Sequence, residues 1–282
     1  MTGQTSGRSV RQVAADAGPL VAAGAALLAV QLIGVRELGS TLFSTELVVF
    51  AATLLTLVGP SVGYLLAPRL RRRSDSVDDR GDGRDGHDTG LGAGLLTAAL
   101  GTQLILPFEL QALCALTMAA ALRVGLAPVW GSALYALLAA LLLLLPCAVY
   151  AALLPVRAQP RSLPTLYAAE LCGALLTLLA LGLPPSLQAV LRLVDLRCAI
   201  VPYALLLPLS AWGLSTAHGA RFRRTLTATM ALLATLLVGL YPRLDAVAMR
   251  AYLRVLYGHA DPHIVQTIYS PYQRIDVIAD PG

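Results

Sequence analysis

The chain has 282 residues, of which 57% are apolar and only 13% are charged, and its formal net charge is +5. Soluble globular proteins carry about 25% charged residues, so this chain has too little polar surface for a water-soluble fold of its size. The basic residues are all arginine and lie in short clusters between apolar runs. Such clusters are typical of the cytoplasmic loops of membrane proteins and exclude the continuous basic stripe of a nucleic-acid-binding protein.

Apolar stretches dominate the chain after a polar N-terminal segment, residues 1–19. A helix needs roughly 20 apolar residues to cross the hydrocarbon core of a bilayer. Seven stretches approach that length: 20–38, 45–66, 91–106, 129–154, 163–183, 198–217 and 225–241. An eighth, 108–122, is short, is bounded by Pro107 and Arg123, and is compatible with a span, a re-entrant segment or an interfacial helix. The sequence predicts a mostly α fold, a polytopic membrane bundle of seven or eight transmembrane helices over residues 20–241.

Residues 69–90 form a charged segment between two of the apolar stretches. Its first part carries the basic cluster Arg69, Arg71, Arg72 and Arg73, which predicts that this side of the membrane is cytoplasmic. Its second part is rich in aspartate, glycine and serine and has almost no apolar residue, so we expect it to be a disordered loop.

The last forty residues differ in character from the rest. Residues 242–258 begin with a proline, end with a glycine and have arginines on one helical face, which predicts a basic amphipathic helix lying along the membrane surface. Residues 259–282 contain two short runs of β-forming residues, which predict a short β-hairpin. Because two strands alone are only marginally stable in water, we interpret this tail as the start of a truncated soluble β domain.

Ionisable residues inside apolar segments are candidate functional residues, because burying a charge in the membrane is costly. The candidates are Arg36, Glu37, Glu109 and Glu170. Arg36 and Glu37 point about 100° apart on a helix and are not expected to pair, and Glu37 is expected to lie near the membrane interface. Glu170 is flanked by small residues and is expected to hydrogen-bond across the bundle. Gly59 and Gly63 form a GxxxG pair that favours helix packing.

No motif for a metal, a cofactor or a catalytic centre is present. The four cysteines are isolated in or beside apolar stretches, which predicts buried free thiols. His259 and His263 lack the third and fourth ligands that zinc requires. No catalytic residue can be assigned from the residues alone.

Several segments resemble a known family. These are 34–43 (GVRELGSTLF), 63–70 (GYLLAPRL), 144–155 (LLPCAVYAALLP), 166–176 (LYAAELCGALL) and 268–277 (IYSPYQRIDV). Together they resemble the membrane domain and the first β-hairpin of bacterial spermidine synthase-like proteins, the polyamine aminopropyltransferases. In that family the hairpin glutamine lines the pocket for the decarboxylated S-adenosylmethionine donor, so the resemblance assigns this role to Gln273, with Tyr272 beside it.

The resemblance implies a membrane anchor rather than a complete enzyme. The family's glycine-rich donor-binding loop and its catalytic aspartate follow the hairpin, and neither occurs in these 282 residues, so the chain is expected to be non-catalytic as it stands. The implied location is the bacterial cytoplasmic (inner) membrane. The implied partners are the lipid bilayer and a soluble synthase domain in cis or in trans, and homo-oligomerisation stays open.

Two other functions fit the sequence. In one, the chain transports polyamines or other cations, which Glu37, Glu109 and Glu170 would bind within the bundle. In the other, it is an assembly subunit of a membrane complex. The side of the membrane on which the C-terminal tail, residues 259–282, lies bears on this choice. Seven spans with a cytoplasmic N-terminus place the tail outside, whereas the synthase resemblance implies a cytoplasmic tail, which an eighth span would give.

Overall fold

The computed structural model describes residues 10–41, 51, 53–78, 90–157, 163–181, 200–257, 263–269 and 274–279. Within these ranges the protein is almost entirely helical. The helices are α1 (Val10–Thr41), α2 (Gly59–Asp78, preceded by a π-helical turn, Leu54–Val58), α3 (Gly90–Arg123), α4 (Pro128–Arg157), α5 (Leu163–Leu181), α6 (Ile200–Leu214, followed by a 3-10 turn, Ser215–Ala217) and α7 (Ala220–Tyr257). The strands are β1 (His263–Tyr269) and β2 (Arg274–Ala279).

Five of the described helices are long and apolar enough to cross a membrane. Their apolar segments are Ala17–Gly39, Gly92–Arg123, Pro128–Pro155, Leu163–Leu181 and Ala220–Tyr241. Leucines on their outer faces are exposed, as α5 illustrates with Leu171, Leu175, Leu176 and Leu179, each at least half exposed. A surface of this kind is stable against lipid and not against water. The protein is therefore a helical membrane protein.

The other two predicted spans are not established by the described residues. The part of 45–66 that the structure describes belongs to the π-helical turn and α2. The stretch 198–217 corresponds to α6, whose apolar part, Tyr203–Leu214, is shorter than a full span.

Helix α3 is continuous through Pro107. The separate element expected for 108–122 is therefore wrong, because this stretch is the C-terminal half of α3. The prediction took proline as a boundary, since it lacks an N–H and usually breaks a helix. Here the lost hydrogen bond is replaced by a side chain, as described below.

A tight turn joins α3 to α4. Gly125 has a φ of +74°, a left-handed conformation that glycine adopts without the penalty of a β-carbon. The N–H of Leu126 bonds to the carbonyl of Ala121, and the N–H of Gly125 bonds to that of Leu122, which is the Schellman pattern of a helix end. Pro128 then begins α4, so the two helices are antiparallel.

Small residues allow close contacts between helices. A β-carbon on Gly24 of α1 would overlap the backbone of Glu170 in α5, and one on Gly173 would overlap the backbone of Val21. The predicted GxxxG pair has the same role, because Gly59 and Gly63 of α2 lie against Cys147, Ala148 and Ala152 of α4. That prediction is confirmed.

The contacts also give the relative directions of several helices. A β-carbon on Gly92, at the start of α3, would lie 3.9 Å from Nε2 of His218 in the turn before α7. Further along, the rings of Phe108 in α3 and Tyr241 in α7 lie 5.5 Å apart. Helices α3 and α7 therefore run parallel from the same end of the bundle.

Most of the arginine clusters share that end, which we call the arginine-rich end. Helix α2 runs parallel to α4, because Gly59 and Gly63 contact successive turns of α4. The C-terminal ends of α2 and α4 therefore lie where α3 begins. The residues concerned are Arg69, Arg71, Arg72 and Arg73 after the apolar part of α2, Arg157 at the end of α4, and Arg221, Arg223 and Arg224 at the start of α7.

Two boundaries differ from the sequence predictions. Helix α2 extends to Asp78, so 69–78 is helical, and the remainder of the expected loop, 79–89, lies outside the described residues. The basic segment expected to begin a new helix at 242 is instead the C-terminal part of α7, a single helix of 38 residues. Arg243, Arg250 and Arg254 on this part are exposed.

The two strands follow α7 and pair with each other. They are antiparallel, with His263 opposite Ala279 and Tyr269 opposite Arg274, and the register shifts between Ile264 and Gln266. The connection between them, which includes Tyr272 and Gln273, lies outside the described residues.

Candidate functional site: a buried polar cluster

Pro107 creates the first part of a polar site inside the bundle. A proline in a helix has no N–H to bond the carbonyl four residues earlier, which here is that of Gln103. The hydroxyl of Tyr203, from α6, donates a hydrogen bond to this carbonyl. The hydroxyl of Tyr150, from α4, donates to Oε1 of the Gln103 side chain at 2.7 Å. Gln103 thus links α3 to two neighbouring helices.

An ion pair on α1 forms the second part. The Arg36 guanidinium donates to Oε1 of Glu37 from Nε at 3.1 Å and from Nη2 at 2.7 Å. Gln111 of α3 donates from Nε2 to the other Glu37 oxygen at 3.3 Å. Arg36 and Glu37 are each only 2% exposed. An ion pair in such a place is stable only when hydrogen bonds satisfy its remaining atoms.

Tyr203 connects the two parts, because it interacts electrostatically with Arg36, Glu37 and Glu109. We call this group the central polar cluster. Its members come from α1, α3, α4 and α6, and are Arg36, Glu37, Gln103, Glu109, Gln111, Tyr150 and Tyr203.

Oε2 of Glu109 and Nε2 of Gln103 are buried atoms of the central polar cluster that have no hydrogen-bond partner within the described chain. One is an acceptor and the other is a donor. Leaving such groups unpaired in an apolar environment is costly. The cluster can therefore accept a proton or a hydrogen-bond donor at Glu109 and an acceptor at Gln103.

The structure brings together three of the four predicted intramembrane residues. Arg36, Glu37 and Glu109 belong to the central polar cluster, whereas Glu170 lies against Gly24. Gly24 precedes Glu37 by 13 residues on α1, or about 20 Å at 1.5 Å per residue. The three glutamates therefore do not form one cation site. The predicted donor-binding residues Gln273 and Tyr272 lie outside the described residues.

One prediction about α1 is wrong. Arg36 and Glu37 do pair, because their long side chains bend toward each other even though their α-carbons face different directions. Glu37 is buried in the bundle, two residues before the end of the apolar segment Ala17–Gly39, and its place near the membrane interface stays a prediction. In an apolar environment the attraction between the two charges is much stronger than in water.

A hydrogen bond between α5 and α1 was expected from Glu170, but among the described residues it is made by Thr177. The hydroxyl of Thr177, two helical turns further along α5, donates to the carbonyl of Ala25 at 3.1 Å. Glu170 has no hydrogen bond to another described residue. Small residues around it do permit the close approach of α1 and α5, as the sequence indicates.

Sequence reasoning missed the uncharged members of the cluster, Gln103, Gln111, Tyr150 and Tyr203. A signal for two of them was present. Pro107 implies a free carbonyl at position 103, and a tyrosine in another apolar span is a natural donor to it. Gln103 and Gln111 also flank Pro107 at four-residue intervals, which places them near one face of α3.

Comparison with protein-family models, with curated proteins and with solved structures finds no match. Among the described residues, no three histidine, cysteine, aspartate or glutamate side chains come together as a metal site.

Proposed function

We propose that the chain is the membrane-anchoring domain of a spermidine synthase-like protein, held in the bacterial cytoplasmic membrane. The observation that carries the proposal is α7. This single helix of 38 residues contains an apolar span, Ala220–Tyr241, and only residues 258–262 separate its end from the first of the two paired strands. The motif 268–277, which resembles the opening hairpin of the synthase domain, includes the last two residues of β1 and the first four of β2.

Further contacts support an anchoring role. Strand β2 contacts α1, so the paired strands lie against the helices rather than apart from them. A rigid helix and a docked strand pair would hold a soluble domain at a fixed place on the membrane. We assign no catalysis to the chain itself, because aminopropyl transfer needs a placed carboxylate base beside the acceptor amine and a bound sulfonium donor.

The test has a genetic part and a biochemical part. The gene is read beyond the codon for Gly282, and the neighbouring genes are read as well, for the glycine-rich acidic loop and the catalytic aspartate of the synthase domain. The matching synthase domain is then expressed with and without this chain, and aminopropyltransferase activity is measured in washed membranes. Activity that sediments only with the chain supports the proposal. Absence of any such domain overturns it.

A second candidate function is transport of protons or small cations, and the unpaired Oε2 of Glu109 favours it. The test is ion flux into proteoliposomes that contain the chain, compared with a Glu109→Gln variant. Flux that disappears in the variant supports transport, and identical leakage from liposomes with and without the protein excludes it.

A further inference from the structure

A second polar feature lies outside the central polar cluster, at the corner where α6 ends and α7 begins. The guanidinium of Arg223, in the first turn of α7, lies over the ring of Trp212, in the last turn of α6, with its Cζ atom 4.3 Å from the ring centroid. This is the geometry of a cation–π contact. We call this pair of residues the Trp–Arg corner.

Short-range contacts hold the Trp–Arg corner in place. The N–H of His218 donates to the carbonyl of Ser215 at 3.0 Å, and the N–H of Arg223 donates to the carbonyl of Gly219 at 3.1 Å. The ring of His218 packs on the ring of Phe222, with their centroids 4.9 Å apart. The position of the guanidinium is thus set before a ligand arrives, which lowers the entropic cost of binding.

Positive charge is concentrated at this corner. Arg221 and Arg224, on either side of Arg223 in the chain, are exposed, and residues 200–244 contain no acidic residue. The Nε atom of Arg223 is buried, so its guanidinium is partly withdrawn from water. A charge attracts an anion more strongly where water is partly excluded. The corner is therefore suited to bind an anion.

An apolar strip leads from the corner toward the middle of the membrane. Trp212 is 46% exposed, and Leu209 and Leu205 are 64% and 60% exposed. These leucines precede Trp212 by three and seven residues, which places all three side chains on one face of α6. Because α6 ends at the arginine-rich end, the leucines lie deeper in the membrane than Trp212. A phospholipid has the same order of groups, with its phosphate at the surface and its acyl chains below.

We propose that the Trp–Arg corner binds an anionic phospholipid, with the phosphate on Arg223 and an acyl chain along Leu209 and Leu205. A guanidinium that stacks by its face keeps its edge for bidentate hydrogen bonds to phosphate oxygens. Choline compensates the phosphate charge of phosphatidylcholine, whereas the glycerol of phosphatidylglycerol does not. Anionic lipids give the cytoplasmic leaflet its negative potential, and the positive-inside rule assigns the arginine-rich end to that side.

This site is independent of the proposed anchoring function, since it uses no residue of the strands. The chain's two tryptophans, Trp130 and Trp212, provide the test. Trp130 is 64% exposed near the start of α4, at the opposite end of the bundle, and is the matched control. The full chain with only one of them, made by Trp130→Phe or Trp212→Phe, is reconstituted in phosphatidylcholine vesicles that contain brominated phosphatidylglycerol or brominated phosphatidylcholine.

Bromine quenches the fluorescence of a nearby tryptophan, so the quenching gives the relative binding constant of the two lipids at each position. At Trp212 we expect a preference of about fivefold for phosphatidylglycerol, the effect of one arginine near an anionic headgroup. At Trp130 we expect little preference. Inorganic phosphate in the buffer should not reduce the preference at Trp212, because it has no acyl chain to bind the leucines.

Substitutions in the protein that retains Trp212 locate the site. Arg223→Gln should abolish the preference for phosphatidylglycerol. Arg123→Gln removes an exposed arginine from the opposite end of the bundle and should leave the preference unchanged. Arg223→Lys should retain only part of it, because lysine keeps the charge but lacks the planar guanidinium.

Several outcomes would overturn the proposal. Equal preference at Trp130 and Trp212 would show that lipid selection is not local to the Trp–Arg corner. An unchanged preference in Arg223→Gln would show that this arginine does not bind the headgroup. Loss of the preference in inorganic phosphate would assign the corner to a soluble anion. If Arg223→Gln does not elute as a folded species from size exclusion, the comparison of Trp130 with Trp212, in which Arg223 is unaltered, decides.

Discussion

Tyr203 compensates for a proline that would otherwise leave a buried carbonyl unsatisfied. Pro107 removes the helical donor to the carbonyl of Gln103, and the Tyr203 hydroxyl donates to that carbonyl instead. We expect Tyr203→Phe to lower the free energy of unfolding by about 1–3 kcal/mol, the range for a buried polar group that loses its partner. Reversible unfolding in mixed micelles measures this loss.

The same contact can be isolated with a double-mutant cycle. In a Pro107→Ala background the alanine N–H can bond the Gln103 carbonyl, so Tyr203→Phe should cost less, with a coupling energy of about 1 kcal/mol. Equal costs in both backgrounds would mean that Tyr203 contributes by packing alone.

Arg36 and Glu37 illustrate a buried pair whose members depend on each other. Removing one partner of such a pair leaves an uncompensated charge and costs about 3–5 kcal/mol, whereas an apolar replacement of both is often tolerated. We therefore expect Arg36→Met to destabilise the protein strongly and the double variant Arg36→Met/Glu37→Leu to recover much of that loss. Thermal unfolding in detergent measures the stability of the single variant and of the double variant. A double variant that is less stable than the single variant would contradict this account.

At the scale of helices, small residues decide which elements pack together. Gly24 lies against the backbone of Glu170, whereas a β-carbon on Gly101 of α3 would have nothing within 4 Å. The two glycines make a matched pair. We expect Gly24→Ala to destabilise the protein by about 1–3 kcal/mol through overpacking. Gly101→Ala should be neutral or stabilise it by up to about 1 kcal/mol, because alanine favours helix more than glycine does. If both variants have the same melting temperature, α1 and α5 do not pack as closely as the structure indicates.

Hydropathy predicted the positions of the long apolar helices but not their limits. Composition predicts the run 225–241, yet the helix that contains it continues through Pro242 to Tyr257, so this proline does not mark a helix boundary. The division of α3 at Pro107 failed for a related reason. A rule based on the local sequence around a proline does not account for a hydrogen bond from another helix. Here the donor is the hydroxyl of Tyr203, which lies 100 residues after Gln103 in the chain.

The candidate site was predictable only in part. The cost of charge in lipid points to Arg36, Glu37, Glu109 and Glu170, and each of these lies in a described helix. Arg36, Glu37 and Glu170 are buried and Glu109 is partly buried. Their grouping was not predictable, because it depends on which faces of α1, α3 and α6 meet. Gln103 and Tyr203 carry no charge and were overlooked for that reason.

At the scale of the whole molecule, helix directions and arginine positions together predict the orientation in the membrane. The ends of α2 and α4 and the start of α7 share the arginine-rich end, which the positive-inside rule assigns to the cytoplasm. Helix α7 runs away from that end, past Phe108, toward the side of the α3–α4 turn. We therefore expect β1 and β2 on the outer side, together with Gly125.

Cysteine labelling in intact cells tests this orientation. In a chain without its native cysteines, single cysteines are placed at Ala127 in the α3–α4 turn, at Gly219 before α7, and at Val265, which is 62% exposed on β1. A membrane-impermeant maleimide should label positions 127 and 265 in intact cells and position 219 only after permeabilisation.

Two other labelling patterns would contradict this orientation. Labelling of position 127 without position 265 would contradict the course of α7. Labelling of 219 alone would reverse the whole orientation and put the strands in the cytoplasm, where the sulfonium donor of an aminopropyltransferase is made. The expected result would instead count against the anchoring of a synthase domain through these strands, because that domain would lie away from the cytoplasmic pool of its donor, and it would favour the second candidate function, transport.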